Sequence, residues 1–338
     1  MITLLSLALD VVVTLDDIAC LNETAVIGCK SNRQMYFGTT WIDKQALTTV
    51  KEVPIEAEQN DLRVGTWPTE PEVTLFSSLS EAIGSLQPSP LNTIITFSDG
   101  HFTETGLLEV SQLVEIVGAG SNTSDAHSTQ LTTKDITSKS TGKLTLQSLR
   151  LVPLSSSSVV ASTKESGSLC VLNVIVEALS EHSATLFQLQ SGSSEIRHSF
   201  FKNIESTESL ICVSGTSSLA ITNTLFLNIK RTSPAPTPVE NTQCASCIEG
   251  KTNGFVKVIY CRFGACTTNG RAGAIDLEKN DVSSTVEIGN SSFDRNFAGE
   301  AVANSSRGDD VVLMSFDDSQ TNLDWSTIQS FPSALTTL

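Results

Sequence analysis

Two adjacent acids near the end of the chain are the residues best placed to do chemistry. Asp309 and Asp310 follow Gly308, and two carboxyl groups held close together can act as the acid and the base that break a glycosidic bond. The same pair also suits a turn with two solvated acids, as do Asp317 and Asp318. The turn is the favoured interpretation. We therefore assign no catalytic residue and keep Asp309 and Asp310 as the alternative.

Clustered cysteines are the second chemical feature of the sequence. Four of them follow the pattern C-x2-C and then C-x4-C, at Cys244, Cys247, Cys261 and Cys266. Two close thiolate pairs can complete a tetrahedral zinc site, but the second pair has the wrong spacing for a zinc ribbon. Disulfides or buried free thiols are favoured instead, and we predict no metal. Cys170 and Cys212 lie in apolar, strand-like runs, where we expect small buried side chains.

The remaining candidate groups form no convergent set. The histidines are scattered along the chain, at His101, His127, His182 and His198. Arg307-Gly-Asp309 spells an adhesion tripeptide, which also arises by chance. No Gly-rich phosphate loop follows a strand and opens a helix, so we predict no cofactor. Four sequons permit glycosylation in a suitable host, at Asn22, Asn122, Asn290 and Asn304.

Charge and composition argue against several classes of protein. The chain carries 21 basic and 37 acidic residues, a net charge of −16, which disfavours nucleic acid as a partner because phosphate binding needs a basic face. Mean hydropathy is slightly positive, whereas disorder needs low hydrophobicity. The longest apolar run, residues 1–13, is interrupted by Asp10 and is too short for a transmembrane segment. No basic residue precedes Lys30, so this run is also a poor signal peptide.

The elements that position these residues are revealed by an internal repeat. Six segments share one apolar pattern, and their first aligned aliphatic residues are Leu146, Val171, Ile196, Ile221, Val258 and Ile288. The steps between these anchors are 25, 25, 25, 37 and 30 residues, as expected if loops enlarge two of the repeats. The Pro-rich stretch 232–238 lies within the longest step and cannot continue a strand. A further step of 25 predicts the next anchor at Leu313.

Positions at fixed distances from the anchors indicate the shape of each repeat. Five residues on, every repeat is apolar: Leu151, Val176, Phe201, Phe226, Phe263 and Phe293. Two residues on, the series is Ser148, Asn173, His198, Asn223, Tyr260 and Asn290. Between these two positions the apolar residues switch from even to odd spacing relative to the anchor. In a regular strand that switch would move them to the opposite side, so a bend or bulge is required. Asn tolerates the left-handed conformation of such a bend, so we predict that His198 is also a turn residue. Eight residues after its anchor, the sixth repeat slips by one at Asn296.

A period of 25 built from short strands predicts a solenoid. The leucine-rich repeat has a similar period, but its pattern needs Leu eight and five residues before an Asn. The residues at those distances before Asn228 are Ala220 and Asn223, so the pattern does not fit. A large antiparallel sandwich with coincidental spacing is the remaining alternative. We therefore predict an all-β parallel β-helix of about 25 residues per rung. Ser78-Leu-Ser-Glu81 has capping-box spacing and predicts a short amphipathic helix that covers the open N-terminal end.

The repeat also predicts the organisation of domains. Residues 1–70 form a strand-rich N-terminal segment of uncertain fold, with a linker near 66–71. Residues 73–338 form the β-helix, with a Pro-rich loop insertion at 231–252.

Short motifs in the rungs carry a resemblance to a known family. Phe200-x-x-Asn203 and Phe293-x-x-Asn296 fit F-x-x-N, and Leu225-x-x-Asn228 fits it with Leu for Phe. Ala272–Ile275 and Gly299–Val302 are degenerate versions of G-G-A-I. These are the marks of the polymorphic outer-membrane-protein repeat. With the helix-strand-Gly entry SLSEAI … IITFSDGHFTE … VEIVGAG, residues 73–320 resemble the pectin-lyase-like right-handed parallel β-helix superfamily.

The resemblance implies two kinds of function, since the superfamily includes large surface proteins as well as polysaccharide lyases and hydrolases. Gly308-Asp-Asp310 resembles the paired-Asp motif of polygalacturonases, but the matching Asn-Thr-Asp is missing at 287–291. No Gly-His-Gly or Arg-x-Lys follows. We therefore expect a non-catalytic structural or interaction module, extracellular or at a cell surface, that binds glycans or protein partners. The alternative is a diverged polysaccharide lyase or glycoside hydrolase that uses Asp309 and Asp310.

Overall fold

The structure is a computed structural model that describes a defined part of the chain. It describes residues 60–67, 74–86, 92–120, 128–177, 181–232, 245–270, 272–279 and 284–298, together with the backbone of short strands outside these ranges. The chain divides into two compact units, Met1–Glu58 and Gln59–Leu338.

The first unit contains a small antiparallel sheet in the order β1-β2-β3-β4. Its strands are β1 (Ile2–Thr3), β2 (Gly28–Ser31), β3 (Gln34–Phe37) and β4 (Thr40–Asp43). Neighbouring strands pair in opposite directions, with Tyr36 opposite Gly28 on one side and opposite Trp41 on the other.

The second unit is an all-β parallel β-helix, as predicted, and its strands form three faces. In the first face, eleven strands pair in parallel. They are β5 (Asn60–Val64), β6 (Thr74–Phe76), β7 (Thr93–Phe97), β9 (Leu113–Val117), β11 (Lys143–Gln147), β14 (Ser168–Leu172), β17 (Ser193–Arg197), β20 (Ser218–Thr222), β23 (Phe255–Ile259), β27 (Thr285–Gly289) and β31 (Thr321–Leu323). This parallel pairing rules out the antiparallel sandwich.

From β7 onward, each first-face strand is followed along the chain by a strand or a pair of strands on the second face. Its strands are β8 (Gly100–Val110), β10 (Thr129–Ser138), β12 (Arg150–Pro153), β15 (Ile175–Val176), β18 (Phe200–Ser206), β21 (Leu225–Arg231), β24 (Arg262–Gly264), β25 (Thr267–Thr268), β28 (Ser292–Asp294), β29 (Phe297–Ala298) and β32 (Gln329–Phe331). The long strands β8 and β10 continue into the third face.

The third face completes the rungs that begin with β7 to β27. Its other strands are β13 (Ala161–Thr163), β16 (Phe187–Leu189), β19 (Ile211–Gly215), β22 (Ile248–Thr252), β26 (Ile275–Lys279) and β30 (Val311–Met314). They also pair in parallel, each with the strand of the next rung.

The predicted anchors form one continuous interior ladder on the first face. Each anchor lies opposite the next, from Leu146 opposite Val171 through to Val258 opposite Ile288, and all six are buried. The predicted continuation at Leu313 is wrong. Leu313 lies opposite Leu277 on the third face, and Leu323 is the residue opposite Ile288. The step of 25 fails here because Leu323 follows Ile288 by 35 residues (323 − 288).

A second interior ladder, five residues after the anchors, contains a stack of phenylalanine rings. The centroids of Phe201, Phe226, Phe263 and Phe293 follow one another at 4.7, 4.7 and 4.9 Å, with interplanar angles of 13° or less. This spacing is the distance between neighbouring β-strands, about 4.7–4.9 Å. The rung spacing therefore sets the ring spacing, and parallel stacking follows from strands that are in register.

The predicted bend is present in every aligned repeat. All six residues two positions after the anchors have φ between 49° and 54°, including His198 and Tyr260. A thiol or hydroxyl one position further on reinforces the bend in four rungs, because it donates to the carbonyl two residues back: Ser199, Thr224, Cys261 and Ser291. The sequence pattern located the bend but not this support.

A second bend explains the F-x-x-N motif and corrects its register. Asn203 and Asn228 have φ of 53° and 56°, and Asn228 Nδ2 donates to Asn203 Oδ1 at 2.9 Å. In the sixth repeat the residue at this bend is Arg295, with φ of 53°. Phe293-x-x-Asn296 is therefore one residue out of register with the other two matches.

The slip predicted at Asn296 does not occur. Asn296 stays in register, next to Cys266 and buried inside the coil. Its Oδ1 accepts from Cys266 N at 2.8 Å, and its Nδ2 donates to Phe263 O at 3.2 Å. Because both ends of the amide are bonded to the preceding rung, this interior position tolerates a polar side chain.

The predicted capping helix is α1 (Leu79–Gly84). Ser78 Oγ accepts from Glu81 N at 3.2 Å, and the Glu81 carboxylate accepts from Ser77 N at 3.0 Å. The buried carboxylate of Glu104, on β8, accepts from Leu79 N at 2.5 Å. It therefore bonds an N–H group that has no partner within the helix. Leu79 and Ala82 are fully buried against the core.

Two boundaries differ from those drawn on the sequence. Strand β5 lies within the predicted N-terminal segment 1–70, yet it pairs in parallel with β6 and β7. Strand β22 lies within the predicted insertion 231–252 and pairs with β19 and β26. Residues 233–244, which contain all three prolines of that insertion, lie outside the described residues.

The phenylalanine stack predicts a large effect for a core substitution. Phe226 is fully buried between two rings at 4.7 Å, so Phe226→Ala should lower the free energy of unfolding by about 3–5 kcal/mol. Thr222→Ala, on the outward side of β20, is the matched control and should cost much less. Denaturant unfolding of both variants measures the difference, and equal small losses would contradict the register.

Candidate binding face

The outward side of the second face carries the strongest candidate for binding. Since Phe201 and Phe226 point into the core, the residues before and after them on β18 and β21 point outward. In-register pairing then places outward residues of successive rungs side by side. Ile175 lies next to Phe200, and Phe200 lies next to Leu225.

These three residues and Leu227 form an apolar row, which we call the outer apolar row. Leu225 is 39% exposed, and the other three are partly exposed. Leu227 lies beside Gly264, where a Cβ atom would come within 2.9 Å of Leu227 Cδ2. The missing side chain at Gly264 therefore leaves room for the end of the Leu227 side chain.

An ion-pair network borders the outer apolar row toward the N-terminal rungs. The Glu177 carboxylate pairs with the Arg150 guanidinium and, at 2.5 Å, with Lys202 Nζ. Arg150 Nη1 also donates to Gln130 Oε1 at 3.0 Å. Lys202 Nζ lies 5.5 Å from the centre of the Phe200 ring, so the network contacts the apolar row directly. All three charged side chains are partly buried. They are therefore more ordered than charged side chains that are fully exposed.

A second charged group borders the row on the C-terminal side. Asp294 Oδ2 lies 3.8 Å from Arg262 Nη2 and 3.3 Å from Arg295 Nε. Arg262 is the residue beside Leu225 in the next rung. The outer apolar row is thus enclosed between two sets of paired charges.

The outward side of the third face is different, because it is polar and largely buried. One ladder runs through Ser162, Gln188, Cys212, Glu249 and Asp276. The nearly buried Arg231 guanidinium pairs with Glu249 and donates to Glu208 Oε2 at 3.1 Å, Ser209 Oγ at 3.0 Å and Ala245 O at 3.1 Å. Arg231 therefore ties the end of β21 to the strands of the third face.

Burial changes the acidity of two groups in this ladder. It raises the pKa of the Glu249 carboxyl, although the neighbouring Arg231 opposes the shift. Burial, with the charges of Glu249 and Glu208, raises the pKa of the Cys212 thiol to about 11. Cys212 is therefore a protonated, unreactive thiol at neutral pH. These contacts describe a structural junction more than a ligand site.

The candidate residues named from sequence are distributed as follows. Asp309, Asp310 and the Arg307-Gly-Asp309 tripeptide lie outside the described residues, so the catalytic alternative stays a prediction. Within the described ranges, no group of three or more His, Cys, Asp or Glu side chains could hold a metal ion. Cys244 lies outside those ranges, so the zinc alternative also stays a prediction.

Two of the clustered cysteines are in contact. Cys247 Sγ and Cys266 Sγ are 3.3 Å apart and fully buried. Cys261 makes different contacts, because its Sγ donates to Ile259 O at 3.3 Å and Ile221 O at 3.6 Å. Cys170 and Cys212 are not the buried core residues that the apolar runs suggested. Both are partly exposed on outward positions, since Val171 and Ile211 take the inward ones.

The histidines share no site in the described part of the chain. His101 lies on the outward side of β8, His198 occupies a bend, and His127 lies outside the described residues. His182 is buried, and its Nε2 has no hydrogen-bond partner. Burial lowers the pKa of its imidazole, against a backbone hydrogen bond with Ser158.

The outer apolar row was missed in the sequence, although a signal for it was present. Phe200-Phe201 and Leu225-Phe226 are apolar doublets. In a strand, neighbouring side chains point to opposite sides, so each doublet places one apolar residue outside. The outward member of each doublet lies four residues after its anchor, whereas the repeated inward residue lies five residues after it.

Comparison with known proteins adds no family to this description. No protein-family model matches the chain, and no curated protein matches it. In the part of the chain that the structure describes, no helix has the length and apolarity needed to cross a membrane.

The buried histidine predicts a pH dependence of stability. Because the pKa of His182 in the folded state lies below its ordinary value of 6.5, the unfolded state binds more protons as the pH falls past that value. The free energy of unfolding should therefore decrease below about pH 6.5 and be unaffected by this group above it. His182→Gln should flatten this part of the profile. His198→Asn, at an exposed bend where neighbouring rungs have Asn, is the control and should keep the wild-type slope in thermal unfolding.

Proposed function

We propose that the protein is a non-catalytic interaction module that binds a protein partner on the outward side of the second face. The observation that carries this proposal is the outer apolar row of Ile175, Phe200, Leu225 and Leu227, set between two groups of paired charges. An apolar centre with a polar, charged rim is the anatomy of protein–protein interfaces.

The rigidity of the face supports this proposal. Each outward side chain stands on a strand that pairs on both sides, and the inward residues beneath it are fully buried. A preformed face loses little conformational entropy on binding. Phe200 lies at the centre of the row, between Ile175 and Leu225, where the residues that dominate binding energy are usually found.

The family resemblance supports a location for the module. We propose that it belongs with the pectin-lyase-like β-helix proteins, as a degenerate form of the polymorphic outer-membrane-protein repeat, and works outside the cell or at a cell surface. Two F-x-x-N matches, at Asn203 and Asn228, share one bend position in successive rungs. Ala272–Ile275, the degenerate G-G-A-I, leads into strand β26 of the third face.

A photo-crosslinking experiment tests the binding face. Benzoylphenylalanine is placed at position 225 or at position 255 of the full chain, and adducts formed on intact cells and in their medium are identified by mass spectrometry. Leu225 and Phe255 are both 39% exposed, on different faces, so they are matched in accessibility. We expect specific protein adducts from position 225 only.

Affinity for the identified partner gives the second measurement. Leu225→Ser should weaken binding by about tenfold or more, which corresponds to at least about 1.4 kcal/mol, while Phe255→Ser should leave it unchanged. Adducts at both positions alike would contradict the proposal. Binding on a glycan array that is abolished by Leu225→Ser would replace the protein partner with a glycan, and turnover of polygalacturonate would overturn the non-catalytic assignment.

A further inference from the structure

The contact between Cys247 and Cys266 joins two successive rungs. Cys247 immediately precedes β22 on the third face, and Cys266 immediately precedes β25 in the following rung. Both side chains belong to the continuous hydrophobic core. Their sulfur atoms, 3.3 Å apart, need to approach by little more than 1 Å to reach the covalent distance of about 2.05 Å.

The backbone around both residues is held in place by neighbouring rungs. Cys247 N donates to Ala274 O at 3.1 Å, and Cys266 N donates to Asn296 Oδ1 at 2.8 Å. Folding therefore brings the two thiols together without a contribution from any ligand. Among the described cysteines this is the one pair with sulfur–sulfur contact, since Cys261 bonds main-chain carbonyls and Cys170 and Cys212 lie on the outward sides of the first and third faces.

We propose that Cys247 and Cys266 form a disulfide bond when the chain folds in the presence of a disulfide oxidant such as oxidised glutathione. One cysteine thiolate attacks glutathione disulfide and releases one glutathione thiolate. The second cysteine thiolate then attacks the mixed disulfide and releases the other glutathione. Two thiols lose their protons and two electrons in total, and one glutathione disulfide is reduced to two glutathione molecules.

The burial of the pair decides when this exchange takes place. Burial raises the pKa of the Cys266 thiol well above its usual range, and the thiolate is the form that reacts. In the folded protein the reaction is therefore slow, whereas in the unfolded chain both thiols are accessible. The bond should form during folding and then resist reduction by external thiols.

The bond also has a predictable effect on stability. It links residues 19 positions apart and closes a loop that includes strand β22, the first-face strand β23 and the second-face strand β24. A crosslink of this size removes conformational entropy from the unfolded chain. For a unit as large as this one, it should raise the midpoint of thermal unfolding by roughly 5 °C.

The test compares two preparations of the full chain. One is refolded with oxidised glutathione and the other with dithiothreitol, and each is denatured, alkylated, digested and mapped by mass spectrometry. We expect a linked peptide containing Cys247 and Cys266, two hydrogen masses lighter than the reduced pair, in the oxidised sample alone, together with the higher unfolding midpoint.

Single variants identify the residues responsible. Cys247→Ala and Cys266→Ala should each abolish the oxidant-dependent rise in the midpoint. Cys261→Ala removes a buried cysteine that has no sulfur neighbour among the described residues, and it should keep that rise. Peptide mapping of the wild-type chain shows whether the disulfide bond forms, even where a variant folds poorly. Free thiols at both positions in the oxidised sample, or a bond from either one to another cysteine, would overturn the proposal.

Discussion

In-register stacking of parallel rungs is the constraint on which the rest of this structure depends. Each strand forms its backbone hydrogen bonds with the rungs before and after it, so each interior side chain must fit the equivalent side chains of both neighbours. The anchor ladder and the phenylalanine stack follow from this requirement. So do the bends, because a rung that turned at another position would lose its pairing on the next face.

The same constraint determines the outward surface. Side chains that point away from the core also line up across rungs, and any repeated outward residue becomes a row. The outer apolar row exists because Ile175, Phe200 and Leu225 occupy one register position in successive rungs. The polar ladder of the third face arises in the same way, but its burial and its junction through Arg231 give it a structural role.

The interior of the coil could be predicted from the sequence, because a repeated interior position leaves a repeated residue type. Ile196 and Ile221 were expected to lie in adjacent layers, and they do. The left-handed bends could be predicted as well, since Asn at three of the six positions signalled a conformation that also accommodates His198 and Tyr260.

Three features could not be predicted, each for a physical reason. Loop lengths between rungs vary freely, so a fixed step placed an anchor at Leu313 instead of Leu323. Hydrophobicity alone cannot recognise an interior polar group whose hydrogen bonds are satisfied, so Asn296 resembles a slip in the repeat. The outward position of Cys212 could not be predicted because β19 lies on a face without aligned anchors. Cys170 precedes the anchor Val171, so strand alternation alone places it outward, and its apolar neighbours are a misleading signal.

The direction of the backbone hydrogen bonds has a mechanical consequence. In this coil they run from rung to rung, roughly along the long axis, instead of across it. Tension applied along that axis is shared by all the hydrogen bonds between one pair of rungs. Every successive pair of rungs carries the same total tension. A terminal rung shares only one interface with the rest, so under such a load the coil should open from an end, one turn at a time, lengthening in steps of about 25 residues of released chain.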